Sequence, residues 1–421
     1  MTTTSTAPRS GAKIRPLAVV GLVLVAINLR PAVTSLGPVL EEVRAGLGMS
    51  AAVAGLLTSV PAVCFALIGS TAPLLARRWG TGGVIALGTT ALALGLAVRP
   101  FAGGTASFIA LTALALAGIA LANVLLPVVV KQRFPDRVGA MTGIYSVALN
   151  LGASTAAAVT VPLTAGVFDG DWRLGLGVWA VIAATALPAW ILLARDRVPD
   201  PVPDPVPDPV PVAPLDAATA ATAATAATPG AGLHLRRQPI AWALAVYFGL
   251  QSTAAYVIMG WLPQIFRDAG LSARTAGLLF AVTALLGVPL SFVLSALAGR
   301  LPRQSGVAVL IGLFGLAGYA GLWADPAAAP WLWVVLLGVA NCSFPLVLTM
   351  IALRGRDAAT VVRLSAFAQS AGYLLSVPGP IVVGVLYDHT GSWRIPLALM
   401  ACLMVPQMIA GALAGRDRQL G

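Results

Sequence analysis

The chain has 421 residues, of which 58% are hydrophobic and 10% charged, whereas soluble globular domains carry about 25% charged residues. That balance excludes a water-soluble domain as the main body. The net charge of +11 does not describe a nucleic-acid surface, because the basic residues sit in short tufts between apolar runs and not on one arm or face.

A helix needs roughly 20 mostly apolar residues to cross about 30 Å of hydrocarbon. Such stretches occur at 17 to 40, 51 to 76, 82 to 99, 104 to 130, 138 to 166 and 174 to 194, and again at 239 to 266, 275 to 299, 306 to 324, 330 to 353, 361 to 386 and 394 to 415. The first run has no small-residue cleavage site and is followed by further spans, so it is expected to remain as the first helix. Cys64, Cys342 and Cys402 all fall inside apolar runs with no disulfide or metal-ligand spacing. The expected fold is an all-α membrane protein with twelve transmembrane helices in two pseudo-symmetric six-helix bundles, 1–194 and 239–421.

Between the bundles, 199 to 211 repeat Pro-Asp-Pro-Val and 217 to 228 run through Ala-Ala-Thr units. Such tracts favour a solvated extended chain, so 195–238 reads as a cytoplasmic tether. Nineteen of the 26 Lys and Arg residues fall in the termini, the linker and every second loop, and six in the alternate loops, among them Arg99 and Arg267. Cytoplasmic loops hold the excess, so both termini are expected on the cytoplasmic side of a bacterial inner membrane.

An internal repeat supports the six-plus-six division. LGMSAAVAGLL at 47 to 57 returns as AGLSARTAGLL at 269 to 279, an offset of 222. ANVLLPVVV from Ala122 returns as ANCSFPLVL from Ala340, and Phe168-Asp169 with Trp172-Arg173 returns as Tyr387-Asp388 with Trp393-Arg394. Two related bundles imply a binding site between them near mid-depth, opened to one side or the other as they rock.

Arg30 is the clearest candidate for that site. The thirteen residues from Leu17 to Arg30 rise about 20 Å, which carries a guanidinium deep into the first span. A charge there costs about 2.5 kcal/mol or more, so it faces a partner or a polar cavity. Arg30 either binds an anionic or strongly polar solute group, or snorkels to the outer interface, or pairs with Glu41 or Glu42. Pro31 loosens the helix beside it. Asn28 and its repeat counterpart Gln251, followed by Ser252, Thr253 and Tyr256, are further lining candidates, as are the pairs Asn123 with Asn341 and Asn150 with Gln369. For these polar residues the competing role is gluing helices together. Tyr145 and Trp261 are candidates for stacking on a flat solute, with interfacial anchoring equally open for Trp261.

No Asp or Glu lies in the middle of a span; Glu41, Glu42, Asp169, Asp325 and Asp388 are near helix ends. That demotes exporters of cationic drugs, which use a carboxylate at depth. His234 and His389 fall in loops with no ligand set around them, so no metal, cofactor or enzymatic role is expected.

NLRPAVTSLGPVL from Asn28, GLLTSVPAVCF from Gly55, LPVVVKQRFPDRVGAMTGIYSVALNLGAS from Leu126, GLQS from Gly249 and WLP from Trp261 resemble the major facilitator superfamily, and within it the cyanate and 2-nitroimidazole transporter branch. The resemblance implies secondary transport of a small anionic or planar polar solute by a monomer, with a proton as one coupling ion. Proton-coupled export of a toxic compound and a non-transporting receptor are the alternatives. The superfamily's acidic and basic loop signature is reduced here to APLLARRWG from Ala72, without its aspartate, and to SALAGRLPRQ from Ser295.

Overall fold

The computed structural model describes residues 11–195, 235–356, 358–417 and 420, and its regular elements are helices, with one isolated bridge between Gly355 and Leu420. The repetitive tract between the bundles lies outside the described residues. Ten helical stretches are long and apolar enough to cross a membrane. One of them, Ala51–Phe101, has 51 residues; as a single rod it would rise about 75 Å. It reverses at Gly80, whose φ of 76° and ψ of 156° a residue with a Cβ rarely adopts, and so makes two crossings. The helix Ala273–Arg300 supplies the twelfth.

In chain order the helices are α1 (Pro16–Leu47), α2 (Ala51–Leu67), α3 (Ala72–Val98, whose residues before Gly80 complete the second crossing and whose residues after it form the third), α4 (Thr105–Arg133), α5 (Val138–Gly166) and α6 (Trp172–Arg195). They continue as α7 (Pro239–Asp268), α8 (Ala273–Arg300), α9 (Ser305–Ala324), α10 (Pro330–Arg354), α11 (Thr360–Thr390) and α12 (Arg394–Ala414). The repeat is visible in local structure. Ser50 accepts a hydrogen bond from Val53 N at 3.2 Å and caps α2, and Ser272 accepts one from Thr275 N at 3.1 Å and caps α8.

Three apolar cores describe how the halves meet. One is built only from residues between Ala18 and Leu193, and a second only from residues between Ala241 and Leu420. The third draws on both, through Leu36, Leu40, Leu57 and Val161 from the first half and Trp261, Phe266, Leu279 and Met400 from the second. All of these lie toward the end remote from Gly11 and Ala414, here called the far end. The halves therefore share a core at one end and keep separate cores toward the other.

Contacts between the halves run along α2 with α11, α5 with α8, and α1 with α7. Backbones approach closely at these seams. A Cβ on Gly55 would overlap Pro380 O of α11, and one on Gly277 would lie 2.8 Å from Ala157 O of α5.

Candidate functional site

The first helix is broken where Arg30 sits. Pro31 has no N–H to return to Ile27 O, so the regular ladder fails there. The chain tightens instead: Val33 N and Thr34 N both donate to Arg30 O at 3.0 Å, and Leu36 N donates to Val33 O at 3.2 Å. Ala32 O is taken by Arg99, whose Nη1 donates to it at 3.2 Å. Asn28 ties the break to α6, donating from Nδ2 to Leu24 O at 2.7 Å and to Ile182 O at 3.2 Å. Arg99, expected in a loop, is instead 0% exposed inside the first half, with its guanidinium 5.5 Å from the Phe108 ring centroid.

Arg30 is half-buried, and its guanidinium makes no hydrogen bond or ion pair with any described residue. Its charge is within electrostatic reach of the hydroxyls of Tyr256 on α7 and Tyr373 on α11. The two acids that could have neutralised it are engaged elsewhere. Arg267 Nη2 lies 2.8 Å from Glu41 and 2.9 Å from Glu42, and its Nη1 donates to Pro38 O at 3.2 Å.

Tyr373 also faces the first half. Its ring stacks on Phe65 of α2, with centroids 5.5 Å apart and planes inclined by 19°. From its own half Phe248 meets it edge-on at 4.9 Å and 89°, which fixes the ring from behind. Cys64 is buried next to Phe65, its thiol directed at Ala113 O at 3.6 Å. A small apolar pocket lined by Ala32, Leu57, Thr58, Pro61 and Met259 adjoins the break in α1. At the level of this pocket on α2, Ser59 Oγ donates to Val377 O at 2.8 Å.

Of the residues expected to line the site, the structure brings together Arg30 and Tyr256. Gln251 is buried in a polar relay internal to the second half. Its Nε2 donates to Asn341 Oδ1 at 2.9 Å, and its Oε1 accepts from Gln407 Nε2 at 3.1 Å. Asn150 donates to Ser146 O on its own helix at 2.9 Å, and Gln369 to Ser365 Oγ at 2.7 Å. Tyr145 is buried in the core of the first half, while Asn123 is half-buried on α4. Trp261 lies well away from Arg30, fully buried at the far end against Tyr387 and Trp393.

Phe65 and Tyr373 were not among the candidates, and the repeat could not have nominated them. The offset that pairs Asn150 with Gln369 puts Ser154 opposite Tyr373, so no aromatic recurs there.

The far end is sealed by a second constellation. Asp388 of α11 accepts from Ala51 N at 2.8 Å and Ala52 N at 2.7 Å, the first amides of α2, and lies 3.9 Å from Arg44. Asp268 of α7 accepts from Tyr387 Oη at 2.8 Å, Trp393 Nε1 at 2.7 Å and Gln264 Nε2 at 2.7 Å. Among the described residues no cluster of His, Cys, Asp and Glu is grouped to hold a metal. The arrangement is a half-buried guanidinium at the break in α1 beside a small apolar pocket, with the closing elements at one end of the bundle.

This architecture occurs in proteins of known kind. The chain is 34% identical to the uncharacterized transporter YycB of Bacillus subtilis over 96% of its own length and 94% of that protein. It is 32% identical to the 2-nitroimidazole transporter of Escherichia coli, covering 97% of this chain and 98% of that one. The cyanate transport protein CynX of Escherichia coli is 29% identical over 92% and 94% of the two chains. In three dimensions it resembles the nucleoside transporter NupG, with a TM-score of 0.72 and 12% identity over 94% of this chain and 99% of that one. With twelve crossings and a Major Facilitator Superfamily profile matched over residues 22–377, the chain belongs to the major facilitator superfamily and is a multi-pass membrane transporter of small solutes.

Proposed function

We propose that this protein is a secondary transporter that moves a small anionic or planar polar solute across the bacterial plasma membrane by alternating access, with Arg30 holding the solute. The observation that carries the reading is a half-buried guanidinium at the break in α1 with no protein counter-ion among the described residues, within electrostatic reach of two tyrosines from the opposite half. Arg30 and both hydroxyls can donate hydrogen bonds, and among the described residues no carboxylate pairs with Arg30. An anion arriving there gains charge-assisted hydrogen bonds to both halves at once. The 2-nitroimidazole and cyanate transporters that this chain resembles carry names of compact, flat solutes, in keeping with that chemistry.

The rocking bodies are 1–194 and 239–421, with 195–238 as the tether between them. The excess of Lys and Arg in the loops at the terminal end supports a cytoplasmic location for both termini. In that orientation the shared core seals the outer end and the cleft opens inward.

Uptake of small anions into proteoliposomes tests the assignment. Arg30→Ala is expected to lower uptake by about tenfold or more, the scale of a lost charge-assisted contact. Arg30→Lys retains the charge and recovers part of the loss, because the ammonium cannot reproduce the bidentate fork. Unchanged uptake by Arg30→Ala would remove this residue from the mechanism.

A further inference from the structure

Phe65 and Tyr373 stack face to face from opposite halves of the molecule. A centroid separation of 5.5 Å with nearly parallel planes is an offset stack, so each ring leaves part of its face uncovered. Tyr373 is backed edge-on by Phe248, which in turn meets Phe344 at 5.6 Å, so its wall belongs to the packed second half. Phe65 is half-buried on α2, and its neighbour Cys64 is within electrostatic reach of Tyr256. The charge of Arg30 is within electrostatic reach of the same two tyrosines, so the guanidinium lies in the neighbourhood of the stacked rings.

We infer that Phe65 and Tyr373 are the two walls of a slot for a flat conjugated ring, and that the solute is an aromatic or heteroaromatic anion whose charged group rests on Arg30. This deepens the function proposed above and rests on Arg30 facing the solute. A ring entering the slot exchanges the Phe65–Tyr373 stack for two stacks of its own, one on each half. The tyrosine hydroxyl stays beside Arg30 and reaches the charged group. A saturated ring of equal charge keeps the ion pair and loses the stacking. A cation meets the uncompensated guanidinium and no carboxylate. Because one wall is carried by each half, the spacing of the slot is set by the rocking motion, and a bound ring couples its own recognition to closure.

The test uses the purified full-length protein and calorimetric titration with benzoate, cyclohexanecarboxylate and nitrate. The wild-type chain is expected to bind benzoate about three- to tenfold more tightly than cyclohexanecarboxylate, the range of an aromatic pair interaction. Phe65→Leu brings that ratio close to one and leaves nitrate binding within about twofold, since nitrate engages only the hydrogen-bond donors. Phe65→Trp, which keeps an aromatic wall, preserves the ratio and guards against a leucine variant that fails to fold. A ratio of one in the wild type, an unchanged ratio in Phe65→Leu, or no benzoate binding overturns the slot. If nitrate then still binds and Arg30→Ala abolishes it, the anion site stands without the slot. If nitrate binding is indifferent to Arg30→Ala, both readings fall together.

Discussion

The two corners of the far end, α2 against α11 and α5 against α8, are repeat-related and closed by different means. At the first, Asp388 reaches across the halves and accepts from the first two amides of α2. Those amides have no partner within their own helix, and the positive end of the helix favours a carboxylate. At the second corner the repeat places Asp169 where symmetry would require the same role. Asp169 is instead exposed at a φ of 48° and makes no hydrogen bond or ion pair among the described residues. That corner closes through backbone proximity at Gly277 and the apolar contact of Val161 with the shared core. A duplicated scaffold thus keeps one polar latch and one greasy seam. The latch side is the one that must trade its bonds for water when the far end opens.

This contrast can be broken experimentally in order of effect. With Ala276→Cys, a fully buried reporter in the shared core, labelling by a water-soluble maleimide in a background lacking the native cysteines measures how often the far end opens. Gly55→Leu should have the largest effect, because its side chain has no space against Pro380 O. Labelling is expected to rise and transport to fall by about tenfold or more, as for an overpacked contact costing about 1–3 kcal/mol. Asp388→Ala removes two bonds to helix amides and should favour opening by about 1–2 kcal/mol, roughly five- to thirtyfold. Asp169→Ala should stay within about 0.5 kcal/mol, as an ordinary surface change. Equal effects from the two aspartates would erase the distinction between the corners.

A change smaller than that at Asp388 is expected from Arg267→Ala. Its pairs with Glu41 and Glu42 are partly solvated, with the acids 50% and 33% exposed, so the loss is about 1 kcal/mol or less. It should also shrink in high salt, where the Debye length falls to about 3 Å at 1 M. A salt-independent loss would indicate that Arg267 acts through its bond to Pro38 O.

The helices were legible because hydropathy and length are local properties. The expected run at 361 to 386 became Thr360–Thr390, and that at 17 to 40 became Pro16–Leu47, since polar ends such as Glu41 and Glu42 extend a helix without extending its apolar signal. Arg30 was legible as a lone charge deep in an apolar run. Which way a polar residue faces was not. Gln251 reads equally well as lining or glue, and its rotation toward Asn341 and Gln407 is decided by how α7 packs on α10 and α12. Phe65 and Tyr373 were invisible for the opposite reason, because an aromatic in an apolar span looks like core until its partner proves to come from the other half. Arg99 precedes Pro100 at the end of an apolar run, which imitates a loop; only the broken α1 supplies the carbonyl that draws it inward.

That arginine has an effect beyond shaping the break. No carboxylate pairs with it among the described residues, and its hydrogen bond lands two positions along the chain from Arg30. The first half therefore holds two formal positive charges without a carboxylate partner among the described residues, in a medium that screens charge poorly. Unpaired positive charge of this kind favours anions over cations in its surroundings, in keeping with the proposed anionic solute. A neutral substitute at position 99 should loosen discrimination by charge even where the contacts of Arg30 are left intact.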